Sequence, residues 1–289
     1  MTGLTQPQER VTVLPAPPGL ERQVVCAIWR ELPPAMAGAD VVGTVPANVY
    51  ACLNVVASGT VRTVGAGGQP FPGIFLCGPM TAPLATRASG PLHSLSVVLQ
   101  PWLLPDWFGV AARTLVDAWT DGRALAPLCA AGVARAWLDA VHNPDSLGAA
   151  LQTLARGGHS AQDGREDLCR ALQDAGSVAA AASRLGLGAR QFERRFGRAF
   201  GLSPKRWLTT RRFEASLVQL ARTGEPLAGV AAGAGYADQA HMTREYRQVA
   251  GHTPGQTRGA LASAQSGYWA FRPAVADVGF VQSQTEDSR

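Results

Sequence analysis

The hydrophobic pattern divides the chain into two unlike parts. Through the first hundred residues, short runs rich in Val and Leu alternate with Pro- and Gly-rich breaks such as Leu32-Pro33-Pro34. This rhythm is typical of an antiparallel sheet or a small barrel. The runs that predict strands cover residues 11–14, 23–29, 49–56, 73–77 and 93–99. From about Pro105, apolar residues recur every three or four positions, which predicts two or three helices before Gly176.

An internal repeat follows Gly176. Each copy begins with apolar residues at helical spacing that stop at a glycine, which predicts a helix followed by a tight turn. The two sets are Val178, Ala181, Ala182 and Leu185 before Gly186, and Leu227, Val230, Ala231 and Ala234 before Gly235. A period of about fifty residues therefore relates two copies of one helical unit.

The repeat continues through a second helix in each copy. Large core residues stand four positions apart there: Phe192 and Phe196 in the first copy, Met242 and Tyr246 in the second. Both copies close with similar phrases, Gly201-Leu202-Ser203-Pro204 and Gly251-His252-Thr253-Pro254. Glycine is expected to end each helix, and the Ser or Thr before Pro is expected to cap the next one.

A helix, a glycine turn and a second helix form the helix-turn-helix pattern, in which the second helix can enter the DNA major groove. With the large residues facing the core, the opposite faces present side chains that can read base edges. The predicted base-reading residues are Arg190, Glu193, Arg194, Gln239, Ala240, Thr243 and Arg244. The predicted phosphate contacts follow the two closing prolines and are Lys205, Arg206 and Arg258.

A continuous helical pattern joins the two units from Lys205 to about Arg222. Its length of roughly 27 Å, at about 1.5 Å per residue, approaches the ~34 Å repeat of B-DNA, so one chain could read two successive major grooves. Arg212 in this spacer is ambiguous, because its place also permits an ion pair with Glu214 or Glu245.

The charge distribution supports a polyanionic partner for the second half. The net charge of +5 is a weak signal by itself. Residues 176–260, however, carry 13 basic against 5 acidic side chains, whereas residues 1–175 carry 11 against 13. The positive charge therefore belongs to the repeat.

This repeat resembles the AraC/XylS family of transcription regulators over about 85 residues. The most specific matching segments are residues 235–239, 242–247 and 251–254, together with Arg258. The sequence departs from the family at Ala240, where serine is common, and at Met242, where phenylalanine is common. The resemblance implies a seven-helix domain, two recognition helices in adjacent major grooves and RNA polymerase as a partner.

The first half resembles more loosely the sensor region of some of these regulators, at residues 45–48, 75–79 and 99–101. We therefore expect an α+β protein: a mainly β sensor-like domain with a helical segment, followed by an all-α seven-helix domain with two helix-turn-helix units. The expected boundaries are 1–105 for the β domain, 106–175 for a helical linker or dimerisation segment, 176–262 for the DNA-binding domain and 263–289 for a tail.

Other function classes find less support in the sequence. The five cysteines are 25 to 52 residues apart, which suits reduced, mostly buried thiols and argues against a disulfide framework or a metal site. An alkylation-repair enzyme with a zinc-bound cysteine needs clustered cysteines, and no nucleophile elbow, phosphate loop or HExxH motif is present. We expect no enzyme activity and no cofactor. A purely architectural DNA-binding protein is a further alternative, which the large first half disfavours.

The expected partners follow from these interpretations. They are double-stranded DNA, a small-molecule effector at the first half and a second copy of the chain through the same half, with RNA polymerase implied by the resemblance. No apolar run reaches the roughly 18 residues of a membrane helix, so we expect no membrane contact and a cytoplasmic protein, associated with the nucleoid when bound to DNA. The tryptophans of the first half could line an effector pocket or form plain core, and the core is favoured. They are Trp29, Trp102, Trp107, Trp119 and Trp137.

Overall fold

The structure is a computed structural model that describes residues 10–33, 41–65, 68–130, 132–157, 164–222 and 224–262. An antiparallel sheet occupies the first part, and helices occupy the rest. The predicted α+β class is therefore confirmed. The tail from residue 263 onward lies outside the described residues.

Strand formation follows the Val- and Leu-rich runs of the first part. The strands are β1 Arg10–Pro15, β2 Val24–Leu32, β3 Val41–Val45, β4 Ala51–Thr63, β5 Ile74–Cys77, β6 Leu84–Leu99 and β7 Trp119–Asp121. They form one seven-stranded sheet in the order β1-β2-β6-β4-β5-β7, with β3 added on β6. The long strands β4 and β6 form its centre and pair from Ala51↔Leu99 to Thr63↔Thr86.

The sequence pattern predicted β1, β2, β4, β5 and the second half of β6, and it missed the remaining strand segments. Gly90-Pro91 resembles a break between strands, yet β6 runs through it with Gly90 at a φ of +79°. The strand β7 is three residues long and exists by pairing with β5, so it has no periodicity of its own. It extends the sheet beyond residue 105.

Several helices follow β6 and close one face of the sheet. Their bounds are α1 Leu104–Phe108, α2 Ala126–Cys129, α3 Val133–His142, α4 Leu147–Gly157 and α5 Arg165–Ala175. Trp29, Trp107 and Trp137 are buried in the core between the sheet and these helices. The indole nitrogen of Trp29 donates a hydrogen bond to the carbonyl of Ala140 at 3.0 Å. The core interpretation is confirmed for these three tryptophans. Trp102 is half-buried against the same core, whereas Trp119 is exposed, so the core interpretation is wrong for Trp119.

The C-terminal helices pack as two units on a shared long helix. They are α6 Val178–Arg184, α7 Ala189–Phe200, α8 Pro204–Arg222, α9 Leu227–Gly233, α10 Gln239–Ala250 and α11 Pro254–Ala262. Leu168 and Leu172 of α5 lie in the same core as Phe192 and Phe196. Counted from α5, the described residues thus contain the seven helices that the resemblance implied. No helix among them is long and apolar enough to cross a membrane.

Candidate nucleic-acid interface

The first helix-turn-helix unit consists of α6 and α7. The Ser177 hydroxyl caps α6 by accepting a hydrogen bond from the backbone nitrogen of Ala180 at 3.3 Å. Phe192 and Phe196 of α7 are fully buried, with ring centroids 5.8 Å apart. The predicted base-reading residues of this helix, Arg190, Glu193 and Arg194, are all exposed. The orientation predicted for α7 is thereby confirmed.

The second unit, α9 and α10, repeats this arrangement. The Asp238 carboxylate caps α10 by accepting from the backbone nitrogen of His241 at 2.6 Å, and Met242 and Tyr246 are fully buried. Of the predicted base-reading residues on α10, Gln239, Ala240 and Arg244 are exposed and Thr243 is half-buried. The Thr243 hydroxyl donates to the Gln239 carbonyl at 2.8 Å.

The two closing phrases end one helix and begin the next, as predicted. Gly201 and Gly251 terminate α7 and α10 in the left-handed conformation, at φ +75° and +76°. The Ser203 hydroxyl accepts from the backbone nitrogen of Arg206 at 3.2 Å. Thr253 and Gln256 form a capping box, in which each side chain accepts from the other residue's backbone nitrogen, at 3.3 and 2.9 Å.

The helix α8 joins the two units without a break. Its 19 residues span roughly 28 Å at about 1.5 Å per residue. It is bonded to α10 through the Ser216 hydroxyl and the Tyr246 phenol, which lie 2.7 Å apart in a buried position. The separation between the units is therefore set by a helix that is itself packed into the core.

The structure resolves the ambiguous role of Arg212 on α8. Glu214 pairs with Arg211, at 2.7 Å between Nη1 and Oε2, whereas the Arg212 guanidinium lies over the Tyr236 ring at 5.4 Å. Residues two positions apart on a helix point in different directions, while residues three apart share a face. Arg211, and not Arg212, can therefore reach Glu214.

The predicted phosphate contacts have different surroundings. Lys205 is exposed at the start of α8. Arg206 donates from Nη2 to the carbonyl of Thr81 in the N-terminal half, and Arg258 donates to the carbonyl of Glu225 at 2.6 Å. Two of the three guanidinium or ammonium groups are thus engaged within the protein.

Comparison with known proteins agrees with this geometry. The family described as "Helix-turn-helix domain" matches residues 181–260. The virulence regulon transcriptional activator VirF of Yersinia enterocolitica is 32% identical over 77 residues, which are 27% of this chain and 28% of VirF. The transcriptional regulator ExsA of Pseudomonas aeruginosa is 32% identical over 73 residues, 25% of this chain and 26% of ExsA.

This part of the chain is an AraC-type helix-turn-helix DNA-binding domain. The match covers only about a quarter of the length of these curated relatives. Among solved structures, ToxT from Vibrio cholerae is 8% identical with a TM-score of 0.44, covering 89% of this chain and 99% of ToxT. The C-terminal domain of AraT from Geobacillus stearothermophilus is 22% identical with a TM-score of 0.31, covering 32% of this chain and 84% of that domain.

The N-terminal half contacts the AraC-type domain near the ends of α7 and α10. A Cβ at Gly201, which ends α7, would lie 2.9 Å from the carbonyl oxygen of Ala112. Near the end of α10, the Val249 carbonyl accepts from the backbone nitrogen of Ala47 at 2.9 Å. The predicted base-reading residues lie toward the opposite ends of both helices, and all of them except the half-buried Thr243 are exposed.

An apolar cavity of about 210 Å³ lies between the sheet and the AraC-type domain. Strands β2, β4, β5 and β6 provide most of its wall, and loop residues such as Pro46 and Met80 provide a further part. Phe213, Glu214 and Leu217 of α8 complete the lining. None of the described tryptophans lines it. The helix α8, which joins the two helix-turn-helix units, is therefore also part of the cavity wall.

Buried polar contacts of Arg211 link α8 to the N-terminal half beside the cavity. Arg211 donates to the phenol oxygen of Tyr50 at 2.7 Å and pairs with Glu214. Burial raises the pKa of the Glu214 carboxyl, and the nearby Arg211 charge opposes that shift. Sequence patterns missed this contact, because Tyr50 and Arg211 are 161 positions apart and neither residue belongs to a recognisable motif.

The thiols of the described residues are free, but the expectation that most of them are buried is only partly met: Cys26 is buried, three are half-buried and Cys129 is exposed. Burial raises the pKa of Cys26, Cys77 and Cys169 to about 12, so these groups are protonated at neutral pH. No group of three or more His, Cys, Asp or Glu side chains in the described ranges is placed to hold a metal ion.

Proposed function

We propose that the protein is a sequence-specific transcription regulator that reads two successive major grooves with α7 and α10. The observation that carries this proposal is the matched orientation of the two helices. Each buries its large residues, six of the seven predicted base-reading residues are exposed, and one continuous helix joins the two units. The spacer length of roughly 28 Å is close to the ~34 Å helical repeat of B-DNA.

The exposed side chains suit base recognition. Arg190 and Arg194 match the paired acceptors of guanine, and Glu193 matches the amino group of cytosine. On the second helix, Gln239 matches adenine and Arg244 matches guanine, while Ala240 and the Thr243 methyl group can contact thymine. These seven residues are our proposed base contacts, and Lys205 is the proposed phosphate contact whose side chain is exposed.

Arg206 and Arg258 enter the proposal differently. Arg206 can reach a phosphate only after it releases Thr81, so we propose that its DNA contact is coupled to the arrangement of the two halves. Arg258 holds α11 to Glu225 and places the start of α11 beside the second unit. For Arg258 we therefore propose a positioning role together with its phosphate contact.

We further propose that a small-molecule effector binds the cavity and controls DNA binding. Its occupant would contact Phe213, Glu214 and Leu217 on one side and the sheet on the other. A ligand that binds more tightly when α8 is in one position increases the population of that position. Because α8 sets the separation of the reading helices, the preference is transmitted to both grooves at once.

The direction of regulation and the partners are proposals of the same kind. The relative VirF is named as a transcriptional activator, and we propose activation for this chain, with RNA polymerase as the protein partner and the cytoplasmic nucleoid as its place of action. A second copy through the N-terminal half remains a prediction from the sequence.

The test compares Arg194→Ala, Lys205→Ala and the control Arg135→Ala, whose exposed arginine lies on α3, away from both units. Operator fragments are selected from random DNA and then titrated with single base changes at several salt concentrations. Arg194→Ala should lose about 1–3 kcal/mol of discrimination at one base position. Lys205→Ala should weaken all sequences alike and lower the salt slope by about one unit.

The control should behave as the wild type in both measurements. If the wild type selects no sequence over bulk DNA at low salt, the proposed function is wrong. If Arg194→Ala weakens every sequence equally, α7 does not read bases through this face.

A further inference from the structure

Three thiols stand in one row across the wall of the cavity. Cys52 on β4 is directly paired with Cys77 on β5. Val98 on β6 is paired both with Cys52 and with Cys26 on β2. All three cysteines line the cavity. Because strands are spaced ~4.8 Å apart, Cys26 lies about two strand spacings from Cys52, while Cys52 and Cys77 are neighbours.

The pairing type of Cys52 and Cys77 follows from the register. Farther along the same two strands, the backbone nitrogen of Val56 donates to the carbonyl of Gly73 at 2.7 Å. Hydrogen-bonded and non-hydrogen-bonded pairs alternate in an antiparallel ladder. Val56 is four positions from Cys52 and the register is unbroken, so Cys52 and Cys77 are also a hydrogen-bonded pair.

In a hydrogen-bonded pair, the two cysteine side chains stand farther apart than a disulfide bond allows. Hydrogen-bonded pairs have Cα atoms about 5.5 Å apart, and their Cβ atoms lie at the wide end of the ~4.5–5.5 Å range. A disulfide needs Cβ atoms about 3.5–4.5 Å apart. A single atom placed between the two sulfurs relieves this mismatch, whereas a disulfide would distort the ladder.

Both thiols are directed at the same amide. The Cys52 thiol donates to Oδ1 of Asn54 at 3.4 Å, and Nδ2 of Asn54 donates to the Cys77 sulfur at 3.8 Å. Asn54 is held in turn by the Ser96 hydroxyl, which donates to Oδ1 at 2.7 Å. The two sulfurs therefore converge on one side of the sheet, inside the apolar cavity.

We propose that Cys52 and Cys77 form a two-thiol binding site for a monosubstituted trivalent arsenical, whose organic group occupies the apolar cavity. Trivalent arsenic is a soft centre that prefers sulfur ligands. It has three valences, two for the thiols and one for the organic group. An apolar cavity of about 150 Å³ already binds benzene, and this one measures about 210 Å³. Zinc requires four ligands as a rule, which two thiols do not supply.

The reaction with phenylarsine oxide is a condensation. Two As–S bonds form, the arsenic–oxygen bond breaks, and the two thiol protons leave with the oxygen as one molecule of water. Arsenic stays trivalent and neither sulfur is oxidised, so no oxidant or reductant is needed. This site lies within the cavity of the proposed function, and its effect on DNA rests on that proposal, whereas binding itself does not.

The test incubates the full-length protein with phenylarsine oxide and measures the intact mass under native conditions. One phenylarsenic group per chain is expected, retained in excess glutathione and removed by the dithiol 2,3-dimercaptopropanol. Linking two ligands strengthens binding by about 10²–10⁴, so Cys52→Ser and Cys77→Ser should each need at least about 100-fold more reagent for half occupancy. Cys129→Ser removes a thiol outside the cavity and should bind as the wild type does.

A second measurement needs no variant and covers the case in which the serine variants fold poorly. Wild-type protein with and without bound arsenical is unfolded, alkylated and mapped by peptide mass spectrometry. Protection confined to Cys52 and Cys77 supports the site. Protection of any other pair, or loss of the adduct in glutathione alone, overturns it.

The consequence for DNA is measured separately. Operator affinity of the wild type should change at least several-fold on arsenical binding, and that of Cys52→Ser should not change at the same reagent concentration. A stable two-thiol adduct in a protein that selects no operator would refute the proposed function and leave this site established. Absence of the adduct in a protein that binds its operator would refute only the site.

Discussion

Substitution of Gly201 by Ala tests how tightly the N-terminal half packs against the end of α7. Gly201 ends α7 with a φ of +75°, and Gly235, in the turn of the second unit, has nearly the same φ of +77°. A Cβ at Gly235 would meet no atom within 4 Å, whereas a Cβ at Gly201 would lie 2.9 Å from the Ala112 oxygen and 2.9 Å from the Val116 side chain. Gly235→Ala is therefore a matched control.

The expected losses of stability distinguish the cost of the left-handed backbone from the cost of the packed contact. Left-handed backbone costs alanine roughly 1–2 kcal/mol, and both variants lose that amount. In Gly201→Ala, the new Cβ also pushes against the Ala112 backbone and the Val116 side chain. This steric conflict costs about 1–3 kcal/mol more. We expect Gly235→Ala to lower the free energy of unfolding by about 1–2 kcal/mol and Gly201→Ala by about 2–5 kcal/mol.

The assay is urea unfolding of the full-length protein, followed by circular dichroism at the helical signal. The variants are compared at a common urea concentration near the midpoints, because differences taken there avoid the extrapolation to water. Gly251→Ala adds an intermediate case, since its Cβ would make only an ordinary contact with Pro83 at 3.5 Å. Equal losses for Gly201→Ala and Gly235→Ala would refute the packed contact between the N-terminal half and α7.

Three further substitutions or treatments test particular contacts. Ser216→Ala should destabilise the protein by about 1–3 kcal/mol because it leaves the buried Tyr246 phenol without its partner, and adding Tyr246→Phe should recover part of that loss in the same urea assay; an additive double variant would contradict the bond. Thr253→Ala should cost about 1 kcal/mol through the lost cap, whereas Thr253→Ser should be nearly neutral. Iodoacetamide at mildly alkaline pH should modify the exposed Cys129 before Cys77, because burial raises the pKa of Cys77 to about 12 and keeps it protonated; faster labelling of Cys77, seen by peptide mass spectrometry, would show that the cavity is open to solvent.

The helices and turns of the AraC-type domain could be predicted in detail from local sequence patterns. Its signals are local: apolar residues three and four apart, glycines at helix ends, and Ser or Thr before Pro. Such patterns involve residues within a few positions of each other, and their geometry is the same in any protein. The exposure of Arg190 and Arg194 opposite Phe192 and Phe196 was therefore predictable, and the structure places them so.

The strands of the sheet could be predicted from the sequence only in part. The Val and Leu content predicted the strands that bury one face, such as β4. The strand β7 did not, since its three residues are held by β5, and neither did the part of β6 that passes through Gly90-Pro91. A strand exists by pairing with another segment, so its limits depend on residues far away in the sequence.

The contacts between the two halves depend on the folded arrangement of the whole chain. The cavity, the bond from Tyr50 to Arg211 and the bond from Arg206 to Thr81 join residues more than a hundred positions apart, and no spacing rule connects them. The same holds for Cys52 and Cys77: the sequence indicated buried thiols, but their convergence depends on the register of β4 against β5. A shift of one residue would have turned one of them to the other face of the sheet, because side chains alternate with a period of two.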